Sequence, residues 1–258
     1  MCGAGALPAR MAAEARRQGW RVVAFAFPGA GDIAADTVVP TRLEAMGPVL
    51  EALVREKITA VAFSGKFWMG DLLATRQPDA AHARLVADAG ALLDGNITDV
   101  IVTTLGGLGI ELLDQRVFLA DGLGEPRTWS ARAPSEAEWA DIRRGLQVAR
   151  LVAGASVGQT VVVRRGAVSA VEAIEGTTEA IRRGTRLGGA GAVVVKAVGA
   201  DHDFRFDVPA IGPETVEAAA AGSAAVLAVE AGRVLIVDRP ATTARADAAG
   251  MALVSVDG

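Results

Sequence analysis

The 258-residue sequence has no tyrosine, one cysteine and two histidines, and aromatic residues make up only 4% of it. So few rings argue against a β-sandwich built around bulky side chains. Alanine, valine and glycine are left to fill the interior, which suits alternating strands and helices. The lone cysteine, Cys2, excludes an intramolecular disulfide framework and fits a reducing compartment. No apolar run reaches bilayer-spanning length, and residues 1–5 lack the basic and apolar regions of a signal peptide. The expected location is therefore the cytoplasm, with any membrane contact peripheral. A large charge excess is missing too. A formal net charge of −4 gives no electrostatic footprint for nucleic acid or an anionic membrane.

What is present is enough chain for one large or two ordinary domains. Residues 3–8 form a glycine-containing loop that leads into a helical stretch from Ala9 to Gly19. Glycines ahead of a helix N-terminus let backbone N–H groups approach a phosphate, so Gly3 and Gly5 are candidate ligand contacts. Trp20–Phe27 reads as a buried strand, Gly47–Lys57 as a helix and Ile58–Phe63 as the next strand. This is a right-handed crossover in a parallel sheet. Gly65 and Lys66 lie beyond the carboxyl end of that strand, where ligands of parallel sheets bind. The bland alternative is a turn glycine with a solvated lysine. Pro78–Leu93 has a helical pattern through Leu85, Val86, Leu92 and Leu93, broken at residues 94–96. Asp99–Thr104 is compatible with strand or helix. Residues 106–109 read as a turn and helix entry, because no complete dinucleotide-binding fingerprint surrounds them. Arg116–Leu119 is expected to be a short strand ending the first domain, at about residue 123.

Residues 124–133 are polar and turn-rich, as in a linker. Ser135 and Glu138 then have capping-box spacing at the head of a helix running to about Gly154. Gln159–Arg164 and Ala167–Glu172 flank Arg165–Gly166 as a hairpin, and a helix opens within residues 173–178. Glu175, just ahead of it, could hold a metal, a water or a sugar hydroxyl, or simply complement the helix dipole. Three more strands are expected at Ala224–Val229, Arg233–Val237 and Ala252–Val256. The densest chemistry lies between Lys196 and Thr215. There Asp203, Arg205 and Asp207 alternate with Phe204 and Phe206, so an extended conformation puts the three charged groups on one face. Two carboxylates offer hard oxygen ligands for magnesium, and arginine can grip phosphoryl oxygens in a fork. Lys196 would neutralise further phosphate charge. The bland alternative is an edge strand with a solvated charged face.

The stretch from Lys196 to Thr215 resembles the signature KxxxPxQDxRxDxPxxGxxT of the LpxI family, the UDP-2,3-diacylglucosamine pyrophosphatases of lipid A synthesis. Lys196, Asp203, Arg205, Asp207, Pro209, Gly212 and Thr215 stand at the matching positions, while Ala200 replaces a proline and His202 a glutamine. The resemblance extends to the loop of residues 3–8, to Gly65–Lys66 and to the helix after Pro134. It also covers a VEAIEGTD-like stretch in which Glu172, Glu175, Gly176 and Thr177 match and Thr178 replaces an aspartate. The fold expected is α/β with two domains: a small Rossmann-like parallel-sheet domain over residues 1–123, its first strand largely missing, and a mixed-sheet domain over residues 134–258.

The resemblance implies magnesium-dependent hydrolysis of UDP-2,3-diacylglucosamine to UMP and 2,3-diacylglucosamine 1-phosphate. Asp203, Arg205 and Asp207 would be catalytic, with Asp203 and Asp207 as metal ligands. Gly3, Gly5, Gly65, Lys66, Glu175, Thr177 and Lys196 would bind the substrate. The partner implied is a nucleotide-sugar lipid and not nucleic acid, with room for peripheral membrane contact at the inner membrane and for a homodimer. The alternative is a non-catalytic protein on the same fold that binds a nucleotide sugar or lipid phosphate.

Overall fold

A computed structural model describes residues 1–67, 77–89 and 94–257. The chain divides into two compact units, Met1–Leu119 with Asp203–Asp207, and Ala120–His202 with Val208–Gly258. The expected α/β class with two domains is what the chain shows, with small parallel sheets in the first unit and a six-stranded mixed sheet in the second.

In the first unit, β1 (Val23–Ala26) pairs in parallel with β2 (Thr37–Pro40), and β3 (Ala60–Val61) with β4 (Glu111–Leu112). Residues 1–3 join the two pairs. Cys2 bridges in parallel to both Ala26 and Ser64, its N–H donating to the Phe25 carbonyl at 2.8 Å while the Gly3 N–H reaches Ser64 at 2.8 Å. The three-residue stub therefore occupies the place of the strand that seemed largely missing. α1 (Leu7–Arg17) buries Pro8, Met11, Ala12 and Ala15, the spacing of one helical face, and ends on Arg16 and Arg17, which suit the negative end of its dipole. α2 (Met46–Arg55) turns Val49, Ala52 and Leu53 onto a core shared with Phe25, Val61, Leu105 and Ile110.

Several expectations are corrected here. α3 (Ala80–Ala89) starts two residues later than expected, and Leu92 and Leu93 lie outside the described residues. α4 (Asp94–Gly107) begins where a break was expected, so Asp99–Thr104 is helix, and residues 106–109 form a helix exit with Gly109 at φ 70°. Arg116–Leu119 is no strand: Gln115–Phe118 is a turn of 3₁₀-helix. The reason is local, since the Asp114 carboxylate accepts the Arg116 N–H and diverts the backbone into a turn.

The second unit is built on a sheet in the order β5-β12-β10-β8-β6-β7. Its members are β5 (Arg127–Thr128), β6 (Thr160–Arg164), β7 (Ala167–Val171), β8 (Val193–Lys196), β10 (Val226–Glu230) and β12 (Ala252–Val256). The central β8, β10 and β12 are parallel and buried on both faces, while β5, β6 and β7 run antiparallel to their neighbours. Parallel strands covered on both faces read as unbroken valine and leucine rather than alternation, as in residues 193–195. α5 (Glu136–Gly154) covers one face through Ile142, Leu146 and Ala149. Its expected capping box is formed: Ser135 N–H donates to Glu138 at 2.8 Å, and Glu138 N–H returns to the Ser135 hydroxyl at 3.4 Å. On the opposite face lie α6 (Thr177–Gly188), α7 (Pro213–Ala221) and α8 (Arg239–Ala248), with Ile181, Val216 and Ala246 in the core. The expected hairpin between β6 and β7 turns through Arg165 and Gly166, both at positive φ, and the buried Asp141 carboxylate accepts both their N–H groups. Residues 233–237 shrink to the two-residue strand β11 (Leu235–Ile236), which pairs with β9 (Ala210–Ile211) outside the main sheet.

Candidate functional site

In the first unit, two loops meet back to back. Ala4 and Lys66 exchange backbone hydrogen bonds at 2.9 and 2.8 Å. A Cβ on Gly3 would fall 2.4 Å from the Lys66 carbonyl oxygen, and one on Gly65, at φ 82°, would fall 2.7 Å from the oxygens of Gly3 and Ala4. Gly3 and Gly65 are therefore required by chain packing itself. Gly5, exposed and at φ 101°, faces open space. The Lys66 side chain is exposed. Aromatic edges continue from this loop pair: Phe67 meets Phe27 and Phe63, and Phe63 meets Phe206 with ring centroids 5.6 Å apart.

Phe206 belongs to the segment Asp203–Asp207, and that segment corrects the expectation of a strand. It is a turn. Asp203 accepts the Arg205 N–H at 3.0 Å, which folds the backbone, and the Arg205 guanidinium closes on the same carboxylate through Nε at 2.9 Å and Nη2 at 2.7 Å. The alternation of phenylalanine and charge thus marks anchoring rather than an extended face: Phe204 is buried and Phe206 half-buried. Asp207 is exposed. The Asp203 fork is the main reason the Arg205 pKa lies above the usual arginine value.

Beside this turn stands a second one of the same spelling, which sequence reasoning missed. Asp114-Gln-Arg116 repeats the D-x-R pattern of Asp203-Phe-Arg205, a repetition readable in the sequence. Gln115 N–H donates to the Phe204 carbonyl at 3.1 Å, and Arg116 lies 3.9 Å above the Phe204 ring while gripping Asp114 through Nη2 at 2.6 Å. Burial pushes the Asp114 carboxyl up, and nearby Asp203 adds to this. The Arg116 hydrogen bonds outweigh both and hold it below the usual carboxylate range.

The carboxylates here are of the right chemical class for magnesium. As arranged, however, Asp203 and Asp114 are each taken by an arginine fork, and among the described residues no three His, Cys, Asp or Glu side chains converge on one point. Among the described residues no all-protein magnesium cage is formed, so an ion held by one or two of these carboxylates would take its other ligands from substrate phosphates and water. A metal could reach Asp203 only after Arg205 let go.

In the second unit, Lys196 ends β8 and is buried at 5% exposure. Its Nζ donates to the Thr177 hydroxyl at 2.8 Å, and that hydroxyl donates to Glu172 at 2.8 Å. Thr177 is the first residue of α6. The residue before it, Gly176 at φ 81°, has no side chain to cap the helix. The helix end and the ammonium thus present positive charge together. Glu175 is exposed and engaged elsewhere. It pairs with Arg183 and accepts the Ala173 N–H, and the Arg183 contact holds its carboxyl below the usual range. This favours the dipole-and-turn reading of Glu175 over a ligand role. Glu172, the nearer carboxylate, had no signal marking it as buried. Glu230 was missed for the same reason. It accepts the Val198 N–H at 3.0 Å and pairs with Arg150 at 2.9 Å and Arg233 at 3.5 Å, while Arg233 donates to the Gly199 carbonyl at 2.5 Å. The backbone leading out of Lys196 is fixed by this cluster.

Comparison with known proteins places both units. Residues 1–122 match the LpxI N-terminal domain and residues 125–254 the LpxI C-terminal domain. The chain is similar to the UDP-2,3-diacylglucosamine pyrophosphatase LpxI of Caulobacter vibrioides, at 29% identity over 275 residues that cover 100% of this chain and 96% of that protein. The resemblance first read from Lys196–Thr215 thus extends along the chain, which belongs to the LpxI family.

Proposed function

We propose that this protein hydrolyses the pyrophosphate bond of UDP-2,3-diacylglucosamine, releasing UMP and 2,3-diacylglucosamine 1-phosphate in lipid A biosynthesis. One observation carries the reading: the chain matches, over its whole length, a protein named for that activity. The site chemistry supports it. Cleavage puts negative charge on phosphoryl oxygens, and cations already oriented toward that charge lower the barrier most. Arg205 in the first unit and Lys196 in the second are cations of the kind such charge needs, Arg205 once its guanidinium turns from Asp203 to the substrate. One of the carboxylates Asp203 and Asp207 takes the proton of the attacking water, Asp203 only after Arg205 releases it. In the first unit Gly5, Gly65 and Lys66 bind the substrate, with Lys66 at the uridine-diphosphate end, while Gly3 closes the loop pair that presents them. Magnesium is the cofactor the family resemblance implies, and chelation by EDTA followed by re-addition checks that dependence directly.

The test is incubation of the protein with UDP-2,3-diacylglucosamine, with and without magnesium, and detection of UMP. Stoichiometric binding of the substrate with no UMP would instead identify a non-catalytic binding protein.

A further inference from the structure

Glu172 follows β7 and is 9% exposed, a state rare for a carboxylate without partners. One oxygen accepts the Thr177 hydroxyl at 2.8 Å, and the other lies 3.4 Å from the Gln159 nitrogen. A hydroxyl has a single proton and two lone pairs. With its proton directed at Glu172, the Thr177 oxygen turns a lone pair toward Lys196, whose Nζ donates to it at 2.8 Å. Were the hydroxyl free to rotate, its proton could point at the ammonium and oppose that bond. Glu172 therefore fixes the sense of the chain Lys196→Thr177→Glu172, and its charge offsets the cost of burying the lysine.

We propose that Glu172, acting through Thr177, is a positioning residue for Lys196 in pyrophosphate hydrolysis. This rests on the proposed function, since Lys196 counts only if it meets the substrate. A lysine ammonium is a point charge with three donors on a flexible four-carbon stem. Tying one donor to Thr177 sets the directions of the other two. Misplacement of a reacting or stabilising group by about 1 Å costs on the order of a hundredfold in rate. The loss of Glu172 or Thr177 should therefore appear in kcat more than in KM.

The experiment compares UMP release by Glu172→Gln, Thr177→Val and Thr177→Ser, each in the wild-type protein and in Lys196→Met. Thr177→Val and Glu172→Gln should lower kcat by about ten- to a hundredfold with a smaller change in KM. Thr177→Ser, which keeps the hydroxyl, should recover most of the loss seen in Thr177→Val. In the Lys196→Met background the same substitutions should have little further effect, because residues acting through one group are not additive. Wild-type kcat in folded Thr177→Val and Glu172→Gln, or an equal loss in both backgrounds, would overturn the proposal. If Glu172→Gln does not fold, Thr177→Val carries the comparison, since Thr177 is only half-buried. Wild-type kcat in Lys196→Met would overturn the assignment of Lys196 itself, and the positioning role with it.

Discussion

Asp203 and Lys66 carry the proposed chemistry, and neither side chain is buried in a core. Asp203 is half-buried, and its carboxylate accepts from the Arg205 N–H and guanidinium within its own turn. Asp203→Ala should thus leave the protein folded, with a stability loss of about 1 kcal/mol, and abolish UMP release. A folded variant with wild-type turnover would remove Asp203 from the reaction. Lys66→Ala should weaken UMP binding, and the difference from wild type should shrink as salt rises, because exposed charge is screened. Calorimetric titration with UMP at two ionic strengths reads this. The residue types of the site were legible in the sequence, but their pairing was not. Whether Arg205 faces a phosphate or its own neighbour Asp203 depends on a turn, and alternation with Phe204 and Phe206 fits strand and turn equally well. Glu172 was legible only as a matching position of a family stretch and Glu230 not at all, because nothing in a single sequence distinguishes a buried glutamate from a solvated one.

Elements were read best where local chemistry and tertiary packing agree. The capping box at Ser135, the hairpin turn at Arg165–Gly166 and the valine-rich central strands all formed where expected. Asp99–Thr104 is β-branched enough to fit either state, and as a helix it sets the half-buried Ile101 against the first core beside Leu105. The Ser135 cap yields a pH prediction. Burial raises the Glu138 pKa, but the Ser135 N–H and Arg132 outweigh it, so the folded value lies below the ordinary 4.5. A lowered carboxylate pKa stabilises the fold above the unfolded value and loses that contribution as pH falls through the folded one. Glu138→Gln should therefore be less stable than wild type near neutral pH, with the gap closing below about pH 4 in urea unfolding curves. Gly65 belongs to the same scale. Its positive φ and the nearby oxygens of Gly3 and Ala4 leave no room for a methyl group. Gly65→Ala should cost roughly 2 kcal/mol or more and lower the melting temperature along with UMP affinity. An unchanged melting temperature would show that the loop pair yields easily.

At the scale of the whole molecule, the first unit is not continuous in sequence, because Asp203–Asp207 is part of it. No composition shift announced this, since a five-residue insertion from a distant segment leaves no periodicity. Its packing partner does have a measurable role. Phe206→Ala should destabilise the first unit by about 1–2 kcal/mol, less than the roughly 3–5 lost with a fully buried ring. Hydrogen exchange should show the loss in residues near Phe63 rather than in the six-stranded sheet.

The discontinuity also sets an order of assembly during synthesis. When Leu119 leaves the ribosome, the chain that will form the first unit lacks its final piece, and the ring of Phe63 has no Phe206 to meet. Roughly ninety more residues must be made before Asp207 emerges, which takes on the order of ten seconds at about 5–20 residues per second. During that interval the nascent N-terminal part exposes apolar surface, a state prone to aggregation and to capture by chaperones. The first unit to begin folding is thus the one that cannot finish until most of the second has been translated.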